Sequence, residues 1–393
     1  MKILCVIQRF YPAIGGAENL MKSYLDYLSQ NHEITVFTSN AIELSSFWNK
    51  NTQQIPDFEK LNYSIKRFDI QIPNETPSEL QFSPFSISSL GPFCPEMWNS
   101  LLNLKGDFDL IIASSFPYDH IVPAFIAAKK NNIPIMILPH IHLEFPYLHF
   151  TSSKLTILEN SEAIVVNTKE EQNQLIKYNI SKNKIHIQSP GIFTNYEKSA
   201  LIDIRKKLNI SCNSTIVLFA GTKSYDKGIF SLLDSLKFLL NNNNQIDLIL
   251  IGPSSEEFTN YLNSQSDNVK KHVFDLGIVN ELEKNSVFNS CDMFVMPSKS
   301  ESFGLVYLEA WLYKKPVIGC NIDAVKNLID DNTNGFLVSF GDIADLVSKI
   351  EKLFDSNIRQ QFGIEGHSKL LREFDLNNLC TNFEELCISL TKN

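Results

Sequence analysis

Short runs of consecutive apolar residues alternate along this chain with segments whose apolar positions recur at helical spacing. That alternation predicts strands buried in parallel sheets with helices against them. Residues 2–7 form the first run, and Ala17, Leu20, Met21, Tyr24, Leu25 and Leu28 then mark one face of a helix. Further strands are predicted over 33–38, 109–113, 133–138, 163–166 and 185–188, with helices over 122–130 and 170–178. A second series starts at 215–220 and continues at 247–251, 273–276, 293–296, 316–320 and 335–338. Helices over 343–354, 359–373 and 376–390 close the chain. The stretch 40–105 is less regular: it is rich in Ser, Pro and Phe (Phe82, Phe85, Phe93), with Trp98 near its end, and its aromatics read either as buried loop anchors, the favoured reading, or as part of an acceptor site in contact with a lipid.

Two strand–helix series in 393 residues imply two domains, each long enough for its own core. A charged fraction of 20% and a net charge of -9, with no basic excess in either half, exclude nucleic acid as the expected partner. The seven cysteines are scattered and odd in number, so they read as reduced thiols of a cytoplasmic protein. No signal peptide or spanning segment is predicted, and contact with the inner face of a membrane is left open.

The chemistry gathers where strands run out. After the strand at 293–296, Pro297 and Ser298 stop the apolar run, and a polar loop leads through Gly304 into a helix with Leu305, Leu308 and Leu312 on one apolar face and Ala310 and Trp311 beside them. Gly304 permits close approach to the first turn, and a helix start offers unpaired N–H groups and a positive dipole end to an anion. Glu309 lies roughly 7 Å further along the axis, about one sugar ring away, where a carboxylate accepts hydrogen bonds from ribose hydroxyls. Glu301, on the other side, reaches hydroxyls of whatever the phosphate carries. The spacing suits a sugar joined through a diphosphate to a nucleoside; two solvated glutamates on a plain strand–loop–helix unit are the competing structural reading.

Other strand exits offer matching groups. Gly15 and Gly16 open the first helix and permit close approach of a phosphate. Gly221, Lys223, Lys227 and Gly228 follow the strand at 215–220, and their cations would neutralise a departing diphosphate. His140 and His142 stand at the exit of the strand at 133–138; zinc is not expected, because no further ligands cluster there. Asp107-Phe-Asp109 has the form of a metal-binding pair, yet it runs straight into a strand and reads as structural.

Glu301-Ser-Phe-Gly-Leu-Val-Tyr-Leu-Glu309, preceded by Pro297-Ser298, resembles the Glu-(seven residues)-Glu signature of glycosyltransferase family 4, retaining enzymes of the GT-B fold. The resemblance spans nearly the whole chain and is strongest in the second half. It implies two Rossmann-like doubly wound α/β domains facing across a cleft, residues 1–190 with 376–393 on the acceptor side and 191–375 on the nucleotide-sugar side. It also implies that Glu301 and His140 meet the donor sugar, that the amides of Phe303, Gly304, Leu305 and Val306, with Ser302, meet the diphosphate, and that Glu309 binds the ribose. Gly16 and Gly15 line the phosphate side, and Ile278 and Val279 lie where the family seats the nucleobase on backbone groups.

Three departures stand out. Thr222 occupies the place of the family's Arg, leaving open whether Lys223 replaces it or activity is weakened. Phe193 replaces a hinge Asp, and 323–327 replaces Gly-Gly-x-x-Glu. The expected function is metal-independent, cofactor-free transfer of a sugar from a nucleotide sugar to a glycan or lipid-linked acceptor, in polysaccharide or glycoconjugate synthesis. A sugar-nucleotide epimerase or hydrolase, and a non-catalytic transferase-like subunit, are the alternatives.

Overall fold

The computed structural model describes residues 1–13, 15–47, 60–71, 91–105, 107–116, 118–141, 150–195, 201–242, 244–301 and 303–392. They divide into two compact units, Met1–Ser189 with Asn377–Asn393, and Pro190–Leu376. Among the described residues no helix is long and apolar enough to cross a membrane.

The first unit is built on a parallel sheet of β1 (Lys2–Ile7), β2 (Glu33–Ser39), β3 (Ser64–Phe68), β4 (Leu110–Ser114), β5 (Ile135–Leu138), β6 (Ala163–Val166) and β7 (Ile185–Ile187). Its spatial order is β3-β2-β1-β4-β5-β6-β7. The second unit carries β8 (Thr215–Ala220), β9 (Ile246–Ile251), β10 (Val273–Asp275), β11 (Met293–Met296), β12 (Val317–Cys320) and β13 (Gly335–Val338), ordered β10-β9-β8-β11-β12-β13. In both sheets the chain starts in the middle, winds to one edge, and returns to wind to the other. Such sheets bind ligands outside the carboxyl ends of the strands where the order reverses. The reversal falls between β1 and β4 in one unit and between β8 and β11 in the other.

Central strands are buried along their whole length, as in β4, β5 and β11. β3 is different. Its residues alternate between exposed and half-buried until Phe68, and with Lys66 and Arg67 in the strand its apolar signal is lost; charge on an edge strand discourages further pairing. The stretch read as irregular thus contains β3 and a helix, Pro95–Leu102, begun by a proline at its first position with Met97 and Leu101 buried. Phe93 is 42% exposed and is no buried anchor; Phe82 and Phe85 lie outside the described residues.

The helix after β11, Leu305–Leu312, buries Tyr307, Leu308, Ala310 and Trp311, while Leu305 and Leu312 are only half-buried. Leu308, Ala310 and Trp311 are thus buried as expected, and the face is turned toward Tyr307 at the expense of Leu305 and Leu312. Nearly every residue of this helix is apolar, so periodicity could not choose a side; Tyr307 does, donating its hydroxyl to the Met296 carbonyl at 2.6 Å. Trp311 lies against Gly366 of the Ser356–Glu373 helix, where a Cβ would stand 2.2 Å from the indole nitrogen.

The chain enters and leaves the second unit side by side: the Ile192 N–H donates to Phe374 O and the Leu376 N–H to Ile192 O. The final helix, Leu376–Thr391, then packs on the first unit. Phe383 stacks on Tyr24 with centroids 4.2 Å apart, and Glu384 accepts from His32 Nε2 at 2.9 Å. Phe383 is fully buried, so Phe383→Ala is expected to destabilise the first unit by about 3 kcal/mol. Hydrogen exchange checks this: amides of β1 and β2 should lose protection while those of β8 and β9 keep theirs.

Candidate functional site

The reversal point of the second sheet is assembled by one close contact. Gly228 has φ +74, and a Cβ on it would lie 2.2 Å from the Pro297 carbonyl oxygen. Only glycine allows both the left-handed backbone and that approach. The loop after β8 thereby meets the loop after β11. Lys227 Nζ bonds Glu301 Oε1 at 2.8 Å and the Ser300 carbonyl at 3.1 Å, and Ser298 Oγ donates to the same Glu301 oxygen at 2.6 Å. Glu301 is thus held by two donors, one of them 74 residues earlier in the chain.

Each of these loops ends in a helix start without a side-chain cap. Gly228, at φ 74, precedes Ile229–Asn241, and Gly304, at φ 92, precedes Leu305–Leu312. By contrast, the helices starting at Glu256, Glu281, Ile343 and Ser356 are capped by Ser255, Asn280, Asp342 and Asp355. An uncapped start leaves N–H groups and the positive dipole end available to an anion. Phe303 points inward instead, 6% exposed and edge-on to Phe374, so it offers backbone rather than side chain. Ser302 lies outside the described residues.

Lys223, the neighbour of Thr222, turns inward. It is fully buried; Nζ lies 2.9 Å from Asp275 Oδ1 and also donates to the Gly252 carbonyl. Its backbone continues the tie, since Lys223 N–H donates to Pro253 O and Ser255 Oγ donates to Lys223 O. Gly221, Gly252 and Gly277 end β8, β9 and β10 in one row: Gly221 N–H donates to Ile251 O and Gly252 N–H to Gly277 O. The lysine braces that row from inside.

Beyond the row, Ile278 is 81% exposed and Val279 packs against the core. The following helix, Glu281–Ser290, brings Lys284 to Glu309: Nζ is 2.9 Å from Glu309 Oε1 and 3.0 Å from Glu281 Oε2. Burial pushes the Glu309 carboxyl up, with Lys284 opposing. Burial by itself would lower the Lys284 ammonium, but Glu309 and Glu281 hold it above its ordinary value. Sequence reasoning missed Ser298, Lys284 and Asp275 as partners, because each pairing spans a loop or crosses between elements. Where the family has Gly-Gly-x-x-Glu, the short helix Asp323–Lys326 buries Val325, and Leu328 sits under Gly304.

In the first unit, Gly15 is packed tightly: a Cβ there would lie 2.1 Å from Glu18 Oε2, and Glu18 pairs with Arg9 at 2.5 Å. Gly16 has nothing within 4 Å of its would-be Cβ and starts a helix with no side-chain cap. His140, at φ 49, has Ser114 Oγ 3.2 Å from Nε2 and Asn167 Nδ2 3.5 Å from Nδ1, so three strand exits converge on it. His142 lies outside the described residues. Asp109 accepts from the Lys2 N–H at 2.7 Å and closes the start of β1, which gives it a structural place.

A doubly wound parallel sheet in each of two units, with glycine-led helix starts at the reversal point, is the architecture of the GT-B class. A family model described as Glycosyl transferases group 1 matches residues 202–368, and one described as Glycosyltransferase Family 4 matches residues 14–196. The chain belongs to this glycosyltransferase family. It is 30% identical to the capsular polysaccharide biosynthesis glycosyltransferase CapM of Staphylococcus aureus over 54% of this chain and 57% of that one. It is also 30% identical to the phosphatidyl-myo-inositol mannosyltransferase of Mycobacterium leprae, over 40% of this chain and 42% of the relative. The match thus spans about half the length of these relatives. Anabaena HepE, solved with UDP, superposes with a TM-score of 0.74 at 20% identity, over 99% of this chain and 100% of that one. A Rickettsia africae glycosyltransferase does so at 0.74 and 19%, over 100% and 99%. At these identities the likeness of structures establishes the fold.

Two outcomes follow. Lys223→Met leaves Asp275 and the Gly252 carbonyl without their cation, and is expected to cost about 2 kcal/mol in a denaturant titration; unchanged stability would contradict the bracing role. His120 donates Nε2–H to Ser114 O at 2.7 Å, its Nδ1 is buried without a partner among the described residues, and burial pushes it down to about 4. Its folded value lies below the unfolded one, so the stability it contributes is present above about pH 6.5 and lost as pH falls toward 4. Imidazole NMR should show this ring neutral at pH 5.5, where an ordinary histidine is protonated.

Proposed function

We propose that the chain is a retaining, metal-independent glycosyltransferase that moves a sugar from a nucleoside diphosphate sugar to a hydroxyl of a glycan or glycolipid, in cell-surface polysaccharide or glycoconjugate synthesis. The observation that carries this reading is the meeting of Lys227 with Glu301 between two uncapped, glycine-led helix starts. As the bond from the sugar to the diphosphate breaks, negative charge gathers on the leaving oxygens. The amides of Gly304, Leu305 and Val306, the turn at Gly221 and the Lys227 ammonium supply fixed positive potential there, the task a divalent ion performs in other transferases. Glu301, held by Ser298, accepts hydrogen bonds from donor-sugar hydroxyls once Lys227 turns to phosphate.

Glu309 takes the ribose hydroxyls, and the exposed Ile278 with the backbone of Val279 borders the base. On the first unit, His140 is the catalytic candidate and Gly16 the phosphate contact. Lys223 is left out of the donor set because its ammonium is committed to Asp275 and Gly252. The CapM relative supports a polysaccharide role, and the mannosyltransferase relative supports a lipid-linked acceptor. UDP bound to HepE supports a nucleoside diphosphate donor.

A second reading, a transferase-like subunit that assists an active partner, draws on Thr222 together with the buried Lys223, which leave the family's Arg without a substitute at either position. Nucleoside diphosphate release from a panel of nucleotide sugars, with and without oligosaccharide and lipid-linked acceptors, separates the readings. Acceptor-dependent release unaffected by a chelator, with the product keeping the donor's anomeric configuration, is the expected result. Glu301→Gln should lower kcat at least 100-fold with little change in donor KM. Donor binding without any turnover would instead favour the subunit.

A further inference from the structure

Lys284 is in an unusual place for a cation. It lies in the first turn of Glu281–Ser290, its N–H bonded to Asn280 O at 2.8 Å, where the helix dipole disfavours positive charge. Its side chain is 28% exposed and extends to Glu309 on the neighbouring helix, which is 24% exposed. Only Glu309 Oε1 takes the ammonium, and Oε2 has no donor among the described residues. The charged groups acting on Glu309 are Lys284 and Glu281, both from the helix that follows residues 277–280.

We infer that Lys284 is a positioning residue of the nucleotide site: it holds Glu309 by one oxygen and leaves the other to accept the ribose hydroxyls. The inference rests on the proposed donor site and adds a residue to it that the Glu-(seven residues)-Glu motif does not contain. Without the ammonium, a carboxylate this buried takes up a proton at higher pH, since burial already pushes it up and Glu281 adds negative charge. A protonated Glu309 accepts fewer and weaker hydrogen bonds. The effect of losing Lys284 therefore grows as pH falls.

The test is calorimetric titration of UDP, GDP and ADP into the full chain and into Lys284→Met, Lys284→Arg and Glu309→Ala at pH 6 and pH 8. Each variant is read as its ratio to the unaltered chain, which cancels titration of the terminal phosphate. The expected Lys284→Met ratio is about tenfold weaker at pH 6 and about threefold at pH 8, with Lys284→Arg restoring most of it. Glu309→Ala should be at least tenfold weaker at both. Equal loss at both pH values, no rescue by arginine, or tighter binding by Lys284→Met overturns the inference while Glu309→Ala still upholds the donor site. Unaltered binding by Glu309→Ala, or no binding of any of the three to the unaltered chain, overturns the donor site itself.

Discussion

The approach of Gly228 to the Pro297 carbonyl is the constraint on which the second unit's chemistry depends. A methyl group there would overlap the carbonyl oxygen at 2.2 Å, so the loops after β8 and β11 touch only because one of them has no side chain. Two consequences follow from that single contact. Lys227 arrives beside Glu301, and the two helix starts at Gly228 and Gly304 come to the same side of the sheet, at the point where strand order reverses. Backbone geometry and electrostatics are therefore one feature: the left-handed glycines turn the chain and also leave the helix ends without a capping side chain.

The lysines near this point divide by burial. Lys227 is partly exposed and shares its carboxylate with Ser298, an arrangement that can be exchanged for a ligand anion at modest cost. Lys223 is enclosed, and an enclosed ammonium stays charged only with full compensation, which Asp275 and the Gly252 carbonyl supply. Removing such compensation to serve a ligand would strand the carbonyl and the carboxylate, so its place is structural. Lys284 falls between them. It faces a half-buried carboxylate that has a second oxygen to give, and that geometry lets one residue be held and remain able to bind.

The first unit follows the same topology with different contents. Its reversal point carries Gly15, packed against the Glu18–Arg9 pair, next to Gly16, which is open. Strand exits from β4, β5 and β6 supply Ser114, His140 and Asn167 as a hydrogen-bonded group. The fold thus places polar groups at the carboxyl ends of central strands in both units.

The sequence by itself determined the two strand–helix series, most strand positions and the stretch from Pro297 to Glu309, because buried parallel strands are written as continuous apolar runs and glycine-led turns have few substitutes. It could not reveal β3, whose alternation is masked by charge at the sheet edge, or that Tyr307 joins the buried face of Leu305–Leu312 while Leu305 and Leu312 do not, because apolar residues surround the axis. Tertiary structure alone decided that Lys223 turns inward and that Lys284 reaches Glu309. Both outcomes depend on groups brought near from other strands and helices, and the free energy of a charged side chain is fixed by those neighbours rather than by its position along the chain.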